Sequence, residues 1–173
     1  FPRSVVITFA KNTVKHTLKI TRILEEAGLS TEATISFQTT DQEMLTNVRR
    51  RNIKLEAYET LALDARRQGL PILADLMLGL PGSNMASMRA DLQTCFRQDV
   101  SARMFGTLVL ENSPMNEPDY RTLHGIETDE FHQLVAAKSF SEDDRDEMIL
   151  FRNAFRFADH FGSLRHVLRF VGH

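Results

Sequence analysis

The chain has 173 residues, 42% of them hydrophobic, which is enough to bury one full core and too little for two comfortable domains. A formal net charge of -2 and a pI near 6.3 give no electrostatic reason to expect nucleic acid or an anionic membrane as partner, and no run approaches the roughly 18 apolar residues of a membrane span. A single cysteine, Cys95, excludes an intrachain disulfide framework and any cluster held by several cysteines of this chain, and it fits a reducing cytoplasm.

In chain order, strands and helices alternate. Ser4 to Ala10 is short and β-branched, and Val14 to Glu26 carries Leu18, Ile20, Ile23 and Leu24 at near-helical spacing before Gly28. Glu32 to Gln38 is the second strand. Asp41 then caps a short helix from Gln42 to Arg50, and Leu55 to Gln68 is an amphipathic helix closed by Gly69. Pro71 to Leu78 is apolar on both faces except for Asp75, Asn84 to Gln98 is the next helix, and Arg103 to Leu110 is the fourth strand. Near-continuous apolar strands joined by helices predict a parallel sheet covered by helices. The expected fold is α/β, a partial (β/α) TIM-like barrel of about four parallel strands with covering helices.

Beyond Leu110 the character changes. Glu111 to Asp119 is turn-rich with two prolines, and the chain from Tyr120 onward reads as irregular connection and helix. Ser141 and Asp144 form a capping box for a helix to about Phe161, broken at Gly162 and followed by a short helix to Val171. The expected division is 1–126 for the barrel part and 127–173 for a helical C-terminal extension. Within it, Phe151, Phe155, Phe157, Phe161 and Phe170 alternate with Arg152, Arg156, Arg165 and Arg169. Packing of the phenylalanines on the barrel accounts for that stripe more simply than a nucleic-acid surface does.

Strand alternation selects the candidates for chemistry. On the second strand Ala33, Ile35 and Phe37 share one face, and Thr34, Ser36 and Gln38 share the other. With the apolar face under the helices, Gln38 is expected to point into the concave interior at the carboxyl end of the strand, where such folds bind ligands. Asp75, isolated among apolar neighbours, needs hydrogen-bond donors or a cation, either a neighbouring loop or a ligand hydroxyl or amine. Gly79-Leu80-Pro81-Gly82 is a tight turn that lets backbone approach a ligand, although short Gly-Pro turns also close strand-helix units for steric reasons alone. Arg49-Arg50-Arg51 is either a solvated cationic helix end or a carboxylate clamp. Cys95 recurs with Met88, Leu92 and Phe96 at helical spacing, the pattern of a buried packing residue. The six histidines, His160 and His166 among them, lack ligand spacing, and no metal site is predicted.

Taken together, these residues resemble the radical S-adenosylmethionine (SAM) superfamily, with the closest likeness to coproporphyrinogen oxidase-like and cobalamin-binding-domain-associated members. The likeness rests on Gln38 ending a strand, Arg50 twelve residues later, and Asp75 opening Asp-x-x-x-Gly-Leu-Pro-Gly. Leu110-Glu111-Asn112-Ser113, Asp119-Tyr120-Arg121 and His124-Gly125-Ile126 add to it, so that it covers roughly Ser4 to Ile126. The resemblance implies that Gln38 and Asp75 contact the ribose or amino end of SAM, that Arg50 holds its carboxylate, and that Gly79, Leu80, Pro81 and Gly82 shape the adenosine site. Backbone around Thr107 to Leu110, Leu108 included, would flank the adenine.

The sequence departs from the superfamily in lacking a Cys-x-x-x-Cys-x-x-Cys loop, in carrying Thr8 near a position often held by a carboxylate, and in Glu111 where the branch usually has proline. The expectation is therefore the C-terminal half of a larger enzyme's barrel, with Phe1 a cut end, inactive by itself. The four-iron cluster and cobalamin of the parent would be bound outside this chain. Small-molecule cofactor and substrate are the expected partners, met through the missing N-terminal part, with no nucleic acid, no membrane, and dimerisation through an exposed strand edge. The alternative is a non-catalytic β/α binding or assembly module.

Overall fold

The computed structural model describes residues 3–9, 14–50, 55–70 and 72–160, together with 164 and 167. Strands β1 (Ser4–Phe9), β2 (Ser30–Gln38), β3 (Ile72–Leu78) and β4 (Ser101–Gly106) form one sheet in chain order, with every neighbouring pair parallel. Parallel neighbours require crossovers. Helix α1 (Val14–Glu26) supplies the first, α2 (Gln42–Asn47) and α3 (Leu55–Arg67) the second, and α4 (Met85–Arg97) the third. Among the described residues β1 pairs only with β2 and β4 only with β3, so the sheet is an open arc and the barrel is only partly present.

The core follows from strand alternation. Ile35 and Phe37 of β2, Ala74 and Leu76 of β3 and Ala102 of β4 lie buried against Tyr58, Leu61, Ala62 and Ala65 of α3 and Leu92 and Cys95 of α4. Each large apolar side chain so buried contributes about 1.5–3 kcal/mol. Cys95 is the packing residue its spacing predicts, 2% exposed.

The segment after β4 differs from expectation. The strand stops at Gly106 rather than Leu110, and a short 3-10 turn (Pro114–Asn116) leads into α5 (Pro118–His124). Next comes an antiparallel hairpin of β5 (Glu127–Thr128) and β6 (Leu134–Ala136), where irregular connection and helix were expected. Thr107 to Val109 turns onto this hairpin, with the Val109 N–H bonded to the His132 carbonyl and the Leu134 N–H to the Thr107 carbonyl, both at 2.9 Å. Strands of two and three residues carry no readable period. A second core, comprising Leu78, Met88, Val109, Tyr120, Ile126, Leu134, Phe140 and Met148, therefore joins the sheet to residues beyond 126.

Helix α6 (Glu142–Phe155) begins at the predicted Ser141–Asp144 capping box and passes into a π-helical turn, Arg156–His160. Phe155 packs on Phe96 with ring centroids 5.5 Å apart and Phe151 is half-buried, whereas Phe157 is exposed. The expectations for Phe161, Arg165, His166, Arg169 and Phe170 lie outside the described residues. No helix among the described residues is long and apolar enough to cross a membrane.

Candidate functional site

The sheet face opposite α3 and α4 carries a polar row. Ser36, Asp75 and Arg103 are direct register partners on β2, β3 and β4, and register partners share a face. Asp75 Oδ1 accepts from Arg103 Nε at 3.0 Å and Nη2 at 2.9 Å, and the two side chains are 19% and 32% exposed. The Arg103 guanidinium also stands 5.6 Å from the centroid of the Phe105 ring. Asp75 thus has the cationic partner its burial requires, and both donors go to one of its oxygens. One position along β2 from Ile35 on the same face as Ser36, Thr34 is buried with its Oγ1 lacking a partner among the described residues. Arg103 was not singled out from the sequence; the available signal was a cation inside an otherwise strand-like run.

Gln38 departs from simple alternation. The β2–β3 register shifts between Ser36 and Gln38, so Ser36 faces Asp75 while Gln38 faces Leu76. Its φ of 68° is left-handed, and the Thr39 N–H bonds the Phe37 carbonyl at 2.9 Å, which makes Gln38 the centre of a γ-turn. A non-glycine residue persists there only if its surroundings hold it.

Asp91 on α4 does the holding. It is 4% exposed, and its Oδ1 accepts from the Thr40 N–H at 2.6 Å and the Thr40 hydroxyl at 2.5 Å. Burial pushes the Asp91 carboxyl above its ordinary range against the hydrogen bonds from Thr40 and Thr39, and the nearby charge of Asp41 pushes it up further. The Asp41 N–H bonds Thr39 Oγ1 at 3.1 Å, and its carboxylate caps α2 through the Met44 N–H at 3.0 Å, as the sequence predicts.

Arg50 follows α2, its backbone N–H bonded to the Leu45 carbonyl at 2.8 Å and its side chain exposed. Of the two described arginines here, Arg49 is the one with side-chain contacts to described residues, 3.4 Å from Glu117 and 5.8 Å from the Tyr120 ring centroid. In the Gly79–Gly82 turn, Leu80 and Pro81 are buried, Asn47 Nδ2 donates to the Pro81 carbonyl at 3.2 Å, and the Gly82 N–H donates to Ser139 Oγ at 2.9 Å. Gly82 has a φ of 103°, and a Cβ there would lie 3.0 Å from Asn47 Nδ2 and 3.2 Å from Met44 Cγ, so its bareness lets α2 approach. The start of α4 is capped internally: the Ser87 N–H donates to Asn84 Oδ1 at 3.0 Å and the Asn84 N–H to Ser87 Oγ at 2.9 Å.

Leu108 is half-exposed and bridged to Gln133, beside Thr107, whose N–H and hydroxyl both donate to the Leu78 carbonyl. No hydrogen bond or ion pair among the described residues joins Gln38, Arg50 and Asp75 to one another. Nor does any group of three His, Cys, Asp or Glu among them suit a metal ion.

No family model matches the chain. The cobalamin-dependent radical SAM methyltransferase TokK of Streptomyces tokunonensis is 27% identical over 157 residues, 88% of this chain and 23% of that protein. The 2-(S-pantetheinyl)-carbapenam-3-carboxylate methyltransferase of Streptantibioticus cattleyicolor is 27% identical over 175 aligned positions, 96% of this chain and 25% of that one. The chain is thus similar in sequence to one methyltransferase named as a cobalamin-dependent radical SAM enzyme and to one that acts on a carbapenam carboxylate. It spans about a quarter of the length of these curated relatives.

Solved structures agree on the fold. The radical SAM coproporphyrinogen III oxidase HemN of Escherichia coli superposes with a TM-score of 0.58 at 17% identity, over 89% of this chain and 31% of that one. The radical SAM methyltransferase TsrM of Kitasatospora setae, solved with cobalamin and a 4Fe-4S cluster bound, gives 0.52 at 16% identity over 65% and 22%.

Proposed function

We propose that this chain forms one wall of the SAM and substrate cavity of a cobalamin-dependent radical SAM methyltransferase. The observation that carries the proposal is the strained Gln38 turn, braced by Asp91, at the carboxyl end of β2 beside the Asp75–Arg103 row. In this role Asp75 keeps one oxygen engaged by Arg103 and offers the other to the ribose hydroxyls or ammonium of SAM. Gln38 supplies a neutral amide close by, and the exposed Arg50 reaches the methionine carboxylate. The Gly79–Gly82 turn shapes the cavity by drawing α2 against β3, and Leu108 supplies an apolar edge for the adenine.

The donor set suits SAM. Among the described residues Asp75 has an unengaged oxygen, Thr34 an orphaned hydroxyl and Gln38 a side chain released from regular alternation. A cluster held by three cysteines is a different matter, because the chain has one and that one is buried. In the proposed parent the cluster, and the cobalamin with it, are bound by residues outside this chain, in the cytoplasm. Residues 1–126 line the cavity and 127–173 support its flank through the shared core. By itself the chain binds without cleaving SAM, and its β1 edge, unpaired among the described residues, pairs with a second copy.

Calorimetric titration of the chain with SAM tests the proposal. Saturable binding that weakens about tenfold or more in Asp75→Ala supports it, a loss of about 1.4 kcal/mol. Wild-type protein that is folded and takes up no SAM refutes it, in favour of an assembly module.

A further inference from the structure

A groove of about 400 Å³ runs beside β4, lined by Ala102, Arg103, Met104, Phe105 and Gly106 of the strand and by Arg152, Phe155 and Arg156 of the last turns of α6. We propose that it binds a small organic anion, its charged group held by Arg152 and Arg156 and its apolar body laid against Phe105 and Phe155. None of Gln38, Arg50, Asp75, Gly79 to Gly82 or Leu108 lines it.

Charge is the first argument. Three of the eight lining residues are arginines and none is acidic. The charge of Arg103 is met by Asp75. Arg152 donates through Nε and Nη2 to Asn153 Oδ1, a neutral acceptor, at 3.2 and 3.0 Å. Burial, and after it the nearby charges of Arg156 and Arg145, make its cationic form less favourable than usual. Guanidinium forks match carboxylate and phosphate oxygens, so Arg152 and Arg156 on one wall of the groove can hold such a group.

Shape is the second. The volume lies at the small end of the range for ligand sites, about 300–1,000 Å³, which suits a small molecule and is too small for a folded partner. Phe105 is 48% exposed, a large apolar surface for a sheet residue, and Phe155 forms part of the facing wall. A second copy of the chain fits poorly, because self-pairing along β4 brings like arginines together. Arg103 lines the groove and also holds Asp75, so the groove abuts the polar row while requiring nothing of SAM.

The test is calorimetric titration of the full chain with phenyl phosphate, benzoate and inorganic phosphate. Phenyl phosphate or benzoate is expected to bind saturably, and the tighter of the two tells whether a phosphate or a carboxylate is preferred. Arg152→Gln is expected to weaken it about tenfold. Phe105→Ala is expected to weaken phenyl phosphate while leaving inorganic phosphate unchanged. Arg67→Gln on α3, remote in sequence and not in the groove, is the control and is expected to change nothing. Should Arg152→Gln lose its fold by circular dichroism, Arg156→Gln, at an exposed position, carries the same expectation. Absence of saturable binding by wild type, or equal weakening in Arg67→Gln, overturns the proposal. Titration of the same preparations with SAM separates its failure from that of the cofactor site.

Discussion

Arg103 on β4 directs two guanidinium donors, at 3.0 and 2.9 Å, onto a single oxygen of Asp75, its direct register partner on β3. Both side chains are partly buried, so removing one partner leaves the other poorly solvated. Arg103→Met is expected to destabilise the chain by about 1–3 kcal/mol, and the double variant Arg103→Met with Asp75→Leu to recover part of that loss. Urea unfolding measures both. Strictly additive losses would show that the two residues do not act as a pair.

Asp91 makes stability depend on pH with a definite sign. Its folded carboxyl titrates above the ordinary value of 3.8, so the folded state holds a proton that the unfolded chain has already released. Stability therefore falls as pH rises from about 3.8 through the folded value and levels off above it. Asp91→Asn keeps an acceptor for both Thr40 bonds and removes this slope. Asp91→Ala orphans the Thr40 donors and costs about 1–3 kcal/mol. Unfolding curves collected from acidic to neutral pH read all three chains, and a wild-type slope retained in the Asn variant would assign the titration to another group.

Gln38→Gly separates stability from binding. Relief of the left-handed backbone at Gln38 is expected to raise stability by about 0.5–1 kcal/mol, while loss of the amide lowers SAM affinity. Thermal unfolding and calorimetry on one sample read the two signs. A variant that gains stability and binds SAM as well as wild type would remove Gln38 from the site.

Tyr120 ties α5 to the end of α2: its hydroxyl donates to the Asn47 carbonyl at 2.6 Å, and the residue is 4% exposed. Tyr120→Phe is expected to cost about 0.5–1.5 kcal/mol. If the urea midpoint is unmoved, the contact contributes nothing to stability.

Much of the sheet is legible in the sequence because each strand is a short apolar run ended by glycine or polar residues. β3 begins one residue after the expected Pro71, and α4 begins at Met85, one residue after the expected Asn84, which serves instead as its cap. The Ser141–Asp144 box is local chemistry, and it survives intact. The site was harder to read for three physical reasons. A bulge changes the parity of alternation, so no rule of period two gives the direction of Gln38. The Asp75–Arg103 pair depends on strand register, which sequence spacing does not determine. Asp91 lies on the buried face of α4 among Met88, Leu92 and Cys95, where a pattern of apolar spacing has no place for a carboxylate. The hairpin of β5 and β6 is held by long-range bonds to Thr107 and Val109, which no local pattern announces.

The most direct test of the cofactor site is amide chemical-shift mapping of the isotopically labelled chain titrated with SAM. Saturable shifts confined to Gln38, Thr39, Arg50, Asp75, Gly79, Leu80, Gly82 and Leu108 are predicted. Unchanged spectra, or shifts confined to α1 and α3, would contradict a SAM site on this sheet.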